Sequence, residues 1–184
     1  MALARQPDGV WAFAAPPARI TPLAPDLHDT LRRVLGTATV DFDAIPCAVD
    51  NGAPWLVVRV ASVEACLALA PDAKALATLV HATGTHGLAV YAAHAADGPA
   101  TFELRCLMAG GDFGVGEDPV TGSANAALAC LLDIQGRRPG TVYTVRQGTV
   151  LGRDGRVAVR YAATGTPWIG GDCVSVVEGT FRLP

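Results

Sequence analysis

Gly116-Glu117-Asp118-Pro119-Val120-Thr121-Gly122-Ser123-Ala124 is the stretch on which the reading of this chain turns. It follows a glycine-rich run, Gly110-Gly111-Asp112-Phe113-Gly114-Val115, and leads into Ala124, Ala126, Ala127, Leu128, Ala129, Cys130, Leu131 and Leu132. That segment predicts a helix apolar all round, which must be buried on every side. The first N–H groups of a helix have no intrahelical partner and carry the positive end of its dipole. Gly122 lets a ligand approach that backbone closely, and Ser123 adds a hydroxyl donor. The stretch therefore predicts a cradle for a carboxylate or another small anion, with Glu117 and Asp118 beside it. A carboxyl group partly removed from water next to a bound anion is suited to proton transfer. The same spacing also fits a plainer arrangement, in which Asp118 caps the turn and Thr121 or Ser123 caps the helix.

Working outward, the flanks read mainly as strands. Val10-Trp11-Ala12-Phe13 is ended by Pro16-Pro17. Pro25-Asp26-Leu27 opens a helix with Leu31, Val34 and Leu35 on one face, stopped at Gly36. The stretch from Val40 to Val49 is extended in character. Asp50-Asn51-Gly52 then turns into Pro54-Trp55-Leu56-Val57-Val58-Arg59-Val60, a strong hairpin signal. Ser62 is placed to cap a short helix, and Pro71-Asp72 starts another through Leu76, Leu79 and Val80 that closes near Gly84. Gly87 to Ala92 is expected to pair with Thr101 to Met108. After the apolar helix come strands at Thr141 to Arg146, at Arg156 to Tyr161, and in a run from Trp168 through Val174-Ser175-Val176-Val177 to Phe181. Turns are marked at Arg153-Asp154-Gly155 and Glu178-Gly179. The fold class expected is α+β: a largely antiparallel sheet curled around a buried central helix.

Composition narrows the partners. Apolar residues make up 51% and charged residues 17% of the 184, richer in apolar side chains than an ordinary soluble domain. A lobe that packs on a second lobe, a second subunit or its own copy has this character. The net charge is −3, and basic residues gather no further than Arg32-Arg33 and Arg137-Arg138, so nucleic-acid binding lacks its electrostatic footprint. The glycines form neither GxGxxG nor GxxxxGK[ST], which disfavours nucleotides. Cys47, Cys66, Cys106, Cys130 and Cys173 are odd in number and widely spaced, with no metal-ligand pattern; small buried thiols in a reduced cytoplasmic interior are expected. No apolar run has membrane-spanning length. His28, His81, His86 and His94 read as solvated.

Glu117-Asp118-Pro119-Val120-Thr121-Gly122-Ser123-Ala124 resembles the EDPxTGSA signature of the PhzF-like (phenazine biosynthesis-like) family in the diaminopimelate epimerase superfamily. Arg105, the Val49-Asp50-Asn51-Gly52 turn with Trp55, Gln147-Gly148 with Gly152-Arg153, and Gly170-Gly171 agree with it. Residues 1–184 are expected to form a single lobe equivalent to the C-terminal half of such a protein. The resemblance implies an active site in a cleft between two lobes and a cofactor-free proton shift, with no metal. Asp118 would be the catalytic carboxylate. Gly122 and Ser123 would bind a small carboxylate substrate, with Glu117 orienting the loop and Thr121 supporting it through a cap. The family's acid/base Glu and its His, in segments of S-E-T and C-G-H-A-T type, have no counterpart here; His81-Ala82-Thr83 matches the latter only superficially. Epimerases of the superfamily use a Cys pair, whereas Asp118 stands in the motif loop here, which disfavours thiol racemisation. Three functions follow: an isomerase lobe completed by a second lobe or chain, a silent carboxylate-binding or interaction protein, and a homodimer with facing Asp118 carboxylates.

Overall fold

The parallel strand pairs determine where the helices lie. The computed structural model describes residues 1–6, 9–36, 39–109, 115–180 and 182. Its strands are β1 (Leu3–Arg5), β2 (Trp11–Ala14), β3 (Arg19–Pro22), β4 (Cys47–Asp50), β5 (Trp55–Arg59), β6 (Gly87–Ala93), β7 (Phe102–Ala109), β8 (Val115–Asp118), β9 (Val142–Gln147), β10 (Gly155–Tyr161) and β11 (Pro167–Gly171). They form one sheet in the order β1-β2-β11-β10-β9-β7-β6-β5-β4-β3, with β8 paired to β7. Pairing is antiparallel except for β5 with β6 and β7 with β9. A parallel pair requires a crossover that returns the chain to the same end of the sheet. The first crossover carries α2 (Val63–Leu67) and α3 (Ala73–Thr83); the second carries β8 and α4 (Gly122–Ile134).

The two crossovers pack on opposite faces of the sheet. The α4 side chains join Val49, Trp55, Val57, Leu104, Val145 and Val159 in one core. Helices α1 (His28–Leu35), α2 and α3 cover Leu56, Val58, Leu88, Val90 and Leu107 in the other. Successive residues of a strand point to opposite faces, so Trp55-Leu56-Val57-Val58 serves both cores and reads as a continuous apolar run. Helix α4 is buried from Ala124 to Ala129 and again at Leu131 and Leu132. The expected sheet around a central helix is what the chain forms.

Local signals mostly hold. Gly36 and Gly84 end α1 and α3, and Ser62 and Asp72 accept hydrogen bonds from Ala65 and Ala75 as helix caps. The Asp50-Asn51-Gly52 turn joins β4 to β5 as a hairpin, with the Gly52 N–H donating to Asp50 Oδ1 at 3.0 Å.

Several expectations need correction. The expected strand from Trp168 to Phe181 ends at Gly171: Val174, Val176 and Val177 are 85–88% exposed and find no strand partner among the described residues, Glu178-Gly179 joins no pair of strands among them, and Phe181 lies outside them. The polar lead and the Arg19–Pro22 segment, not expected as strands, are the edge strands β1 and β3. Cys173 is exposed rather than buried, although all five thiols are free. His94 is not solvated: its side chain is 10% exposed and its Nε2 lies 3.0 Å from the wholly buried carboxylate of Glu103 on β7. Among the described residues no helix is long and apolar enough to cross a membrane.

Candidate active site

Strand alternation separates the two acidic residues of the motif. Glu117 and Asp118 lie on β8 rather than in a loop, opposite Leu107 and Cys106 of β7. Leu107 belongs to the core under α1–α3 and Cys106 to the core around α4. Residues opposite one another in a ladder share a face, so Glu117 turns away from the central helix and Asp118 turns toward it.

Glu117 is fully engaged. Arg105 of β7 donates from Nε to Oε1 at 3.0 Å and from Nη2 to Oε2 at 2.7 Å, and both side chains are under 10% exposed. The remaining Arg105 nitrogen, Nη1, donates to the carbonyls of Cys66, Leu67 and Leu69 at the end of α2. The bidentate pair therefore staples β8 to β7 and α2. The pair leaves the Glu117 carboxylate no free face for a substrate.

Asp118 is half-buried, and among the described residues its carboxylate accepts one hydrogen bond, from the Val120 N–H at 3.3 Å. Helix α4 begins four residues later, at Gly122. The Asn125 N–H is the first to bond back along the chain, to Thr121 O at 3.1 Å. The N–H groups of Gly122, Ser123 and Ala124 thus occupy the positions that a helix leaves unpaired. The Thr121 side chain does not cap the helix, contrary to expectation. Its hydroxyl is taken by Gln147 Nε2 at 2.9 Å, a fully buried side chain from the end of β9 that competes successfully for that oxygen.

Ser123 is oriented by groups from the β4–β5 hairpin. The Trp55 indole N–H donates to Ser123 Oγ at 3.0 Å, and Asn51 Nδ2 approaches Ser123 O at 3.5 Å. Indole can only donate, so it occupies a lone pair of the hydroxyl and leaves the Ser123 proton to donate elsewhere. Sequence reasoning found the hairpin but not its reach across 68 residues to the helix. The signal was Trp55 itself, a side chain whose N–H needs a partner when buried.

Gly122 also borders an open cavity of about 510 Å³ walled by Trp11, Phe13, Val120, Val157 and Ile169. The ring of Phe13 lies 3.2 Å from where a Gly122 Cβ would stand. Asp118 is not one of the residues lining this cavity. Trp11 is half-exposed and Val120 is 46% exposed, so the apolar wall opens to solvent beside the helix terminus.

Thiol chemistry finds little support. Cys106, the cysteine paired with Asp118 across the strands, is completely buried, and burial pushes its thiol up to about 12. A thiolate is the reactive form, and at neutral pH this side chain stays protonated. Among the described residues no three His, Cys, Asp or Glu side chains are grouped to hold a metal ion.

The β7–β8–α4 arrangement on one largely antiparallel sheet has counterparts among known proteins. Residues 12–179 match the family model for phenazine biosynthesis-like proteins, PhzC-PhzF, and the chain belongs to that family. Solved structures share the fold. The PhzF-family phenazine biosynthesis protein of Bacillus anthracis superposes with a TM-score of 0.72 at 16% identity, over 91% of this chain and 59% of that one. A predicted epimerase from Pseudomonas aeruginosa gives 0.62 at 24% identity, over 92% and 57%. A PhzF-family protein from Enterococcus faecalis gives 0.61 at 21%, over 92% and 56%. The chain thus spans less than two thirds of the length of these structures. No curated protein matches it significantly.

Proposed function

We propose that this chain forms one wall of a cofactor-free isomerase site that moves a proton on a small carboxylate-bearing substrate. Gly122 and Ser123 bind the substrate carboxylate at the N-terminus of α4, and Asp118 gives or takes the proton. Thr121 shapes the loop between them. The observation that carries this reading is the Trp55–Ser123 hydrogen bond. It leaves the serine proton as a donor next to three helix N–H groups, a convergence that favours an anion, with a lightly held carboxylate at the other end of the same turn. The likeness to a predicted epimerase and to PhzF-family folds supports an isomerase.

The opposite wall, with the second acid/base group, comes from a second lobe or a partner chain. The share of the neighbours' length that this chain spans supports that. The same observation favours one other reading, a silent carboxylate-binding protein. Purification from the native host separates them by size-exclusion mass and mass spectrometry of the particle. The expected result is a stoichiometric second polypeptide, and solvent deuterium entering a carboxylate substrate only with both present. A stable monomer that neither recruits a partner nor supports exchange contradicts the isomerase reading and leaves the binding one.

A further inference from the structure

We infer that Gln147 is the positioning residue of this site, the template that fixes Asp118 relative to the N-terminus of α4. The inference rests on the proposed roles of those two features. The Gln147 side chain is completely buried, and all of its hydrogen-bonding capacity is spent on the turn between them. Its Nε2 donates to Asp118 O at 2.8 Å and to Thr121 Oγ1 at 2.9 Å. Its Oε1 accepts from Thr121 N at 3.0 Å and from Asn125 Nδ2 at 3.2 Å. Asn125 closes the ring by donating to Thr121 O at 2.8 Å. A primary amide offers two donors and two acceptor lone pairs, and this turn uses all four.

The backbone around Gln147 is fitted to the same turn. Gly148 has φ +87°, and a Cβ there would stand 2.7 Å from Pro119 O. A Cβ on Gly155 would run into Val120 Cγ2 and lie 3.2 Å from Pro119 O. The end of the β9–β10 hairpin therefore presses on Pro119-Val120 where only glycine fits, while the amide holds the residues on either side. Asp118 ends a strand and Gly122 begins a helix. Gln147 is the side chain from outside both elements that bonds to both sides of the junction.

The chemistry demands an amide. Leucine at 147 keeps the volume but bonds to nothing, and an ionised glutamate accepts only. A protonated glutamate regains one donor, and burial raises the pH at which it protonates. The test uses benzoate as the probe, followed by amide NMR shifts at Gly122 and Ser123 in wild type, Gln147→Leu and Gln147→Glu. Benzoate affinity is expected to fall about tenfold or more in Gln147→Leu at every pH, a loss of the size that one or two buried hydrogen bonds command. In Gln147→Glu it should be low at pH 9 and recover on acidification toward pH 5.5. Wild type titrated in parallel supplies the baseline at each pH. Wild-type affinity in folded Gln147→Leu, or no acid recovery in Gln147→Glu, overturns the inference. If wild type does not respond to benzoate, the carboxylate reading fails by itself. Gln147 is then judged by hydrogen exchange at Thr121 and Asn125, where loss of the amide should lower protection about tenfold and unchanged protection overturns its role.

Discussion

Asp118→Asn is expected to slow solvent-deuterium exchange into the substrate of the completed enzyme about 10²–10⁴-fold, the usual worth of a positioned general acid or base. The fold should survive unchanged. The structural duty of the carboxylate is to accept from the Val120 N–H, and an asparagine oxygen does the same. The strand end is held through the Asp118 backbone carbonyl, which accepts from Gln147 and does not depend on the side chain. Thermal melting within the range of ordinary surface substitutions, about ±0.5 kcal/mol, together with a large fall in exchange, separates chemistry from architecture. Undiminished exchange would remove Asp118 from the mechanism.

Arg105→Met should have the largest effect on stability, about 3–5 kcal/mol, because it strands a buried carboxylate. The guanidinium serves Glu117 through two nitrogens and, through the third, three carbonyls at and just beyond the end of α2, all away from bulk water. In a chain of this size such a loss lowers the melting temperature by about 6–20 °C. Adding Glu117→Leu should restore part of it, since the stranded charge is gone, though the carbonyls still lack their donor. The two substitutions are therefore expected to be strongly non-additive. Melting curves of both single variants and the double variant check this, and simple additivity would contradict a coupled pair.

Much of this was legible in the sequence because it was local. The helix with no polar face required a sheet around it, and α4 sits inside one. The Asp50-Asn51-Gly52 turn and the Ser62 cap are short-range devices in which neighbouring residues satisfy one another. What could not be read was long-range. Glu117 and Asp118 are adjacent in sequence, and only the pairing of β8 with β7 shows that one faces Arg105 and the other the central helix. The Thr121 hydroxyl went to Gln147, twenty-six residues on, because a buried amide with four open bonds outcompetes a local cap. Val174-Ser175-Val176-Val177 has the alternation of a strand, yet a strand forms only where an edge is available to pair with it. His94 was misread because its partner Glu103 lies on the neighbouring strand, a contact that spacing does not reveal.

Carboxylate binding at the first turn of α4, as proposed, is checked by amide NMR of the wild-type chain titrated with benzoate. Saturable shifts are expected, largest at the N–H groups of Gly122, Ser123 and Ala124, and weakened in Ser123→Ala and in Trp55→Phe, which removes the indole donor. Shifts absent from that turn, or confined to surface arginines, would contradict it.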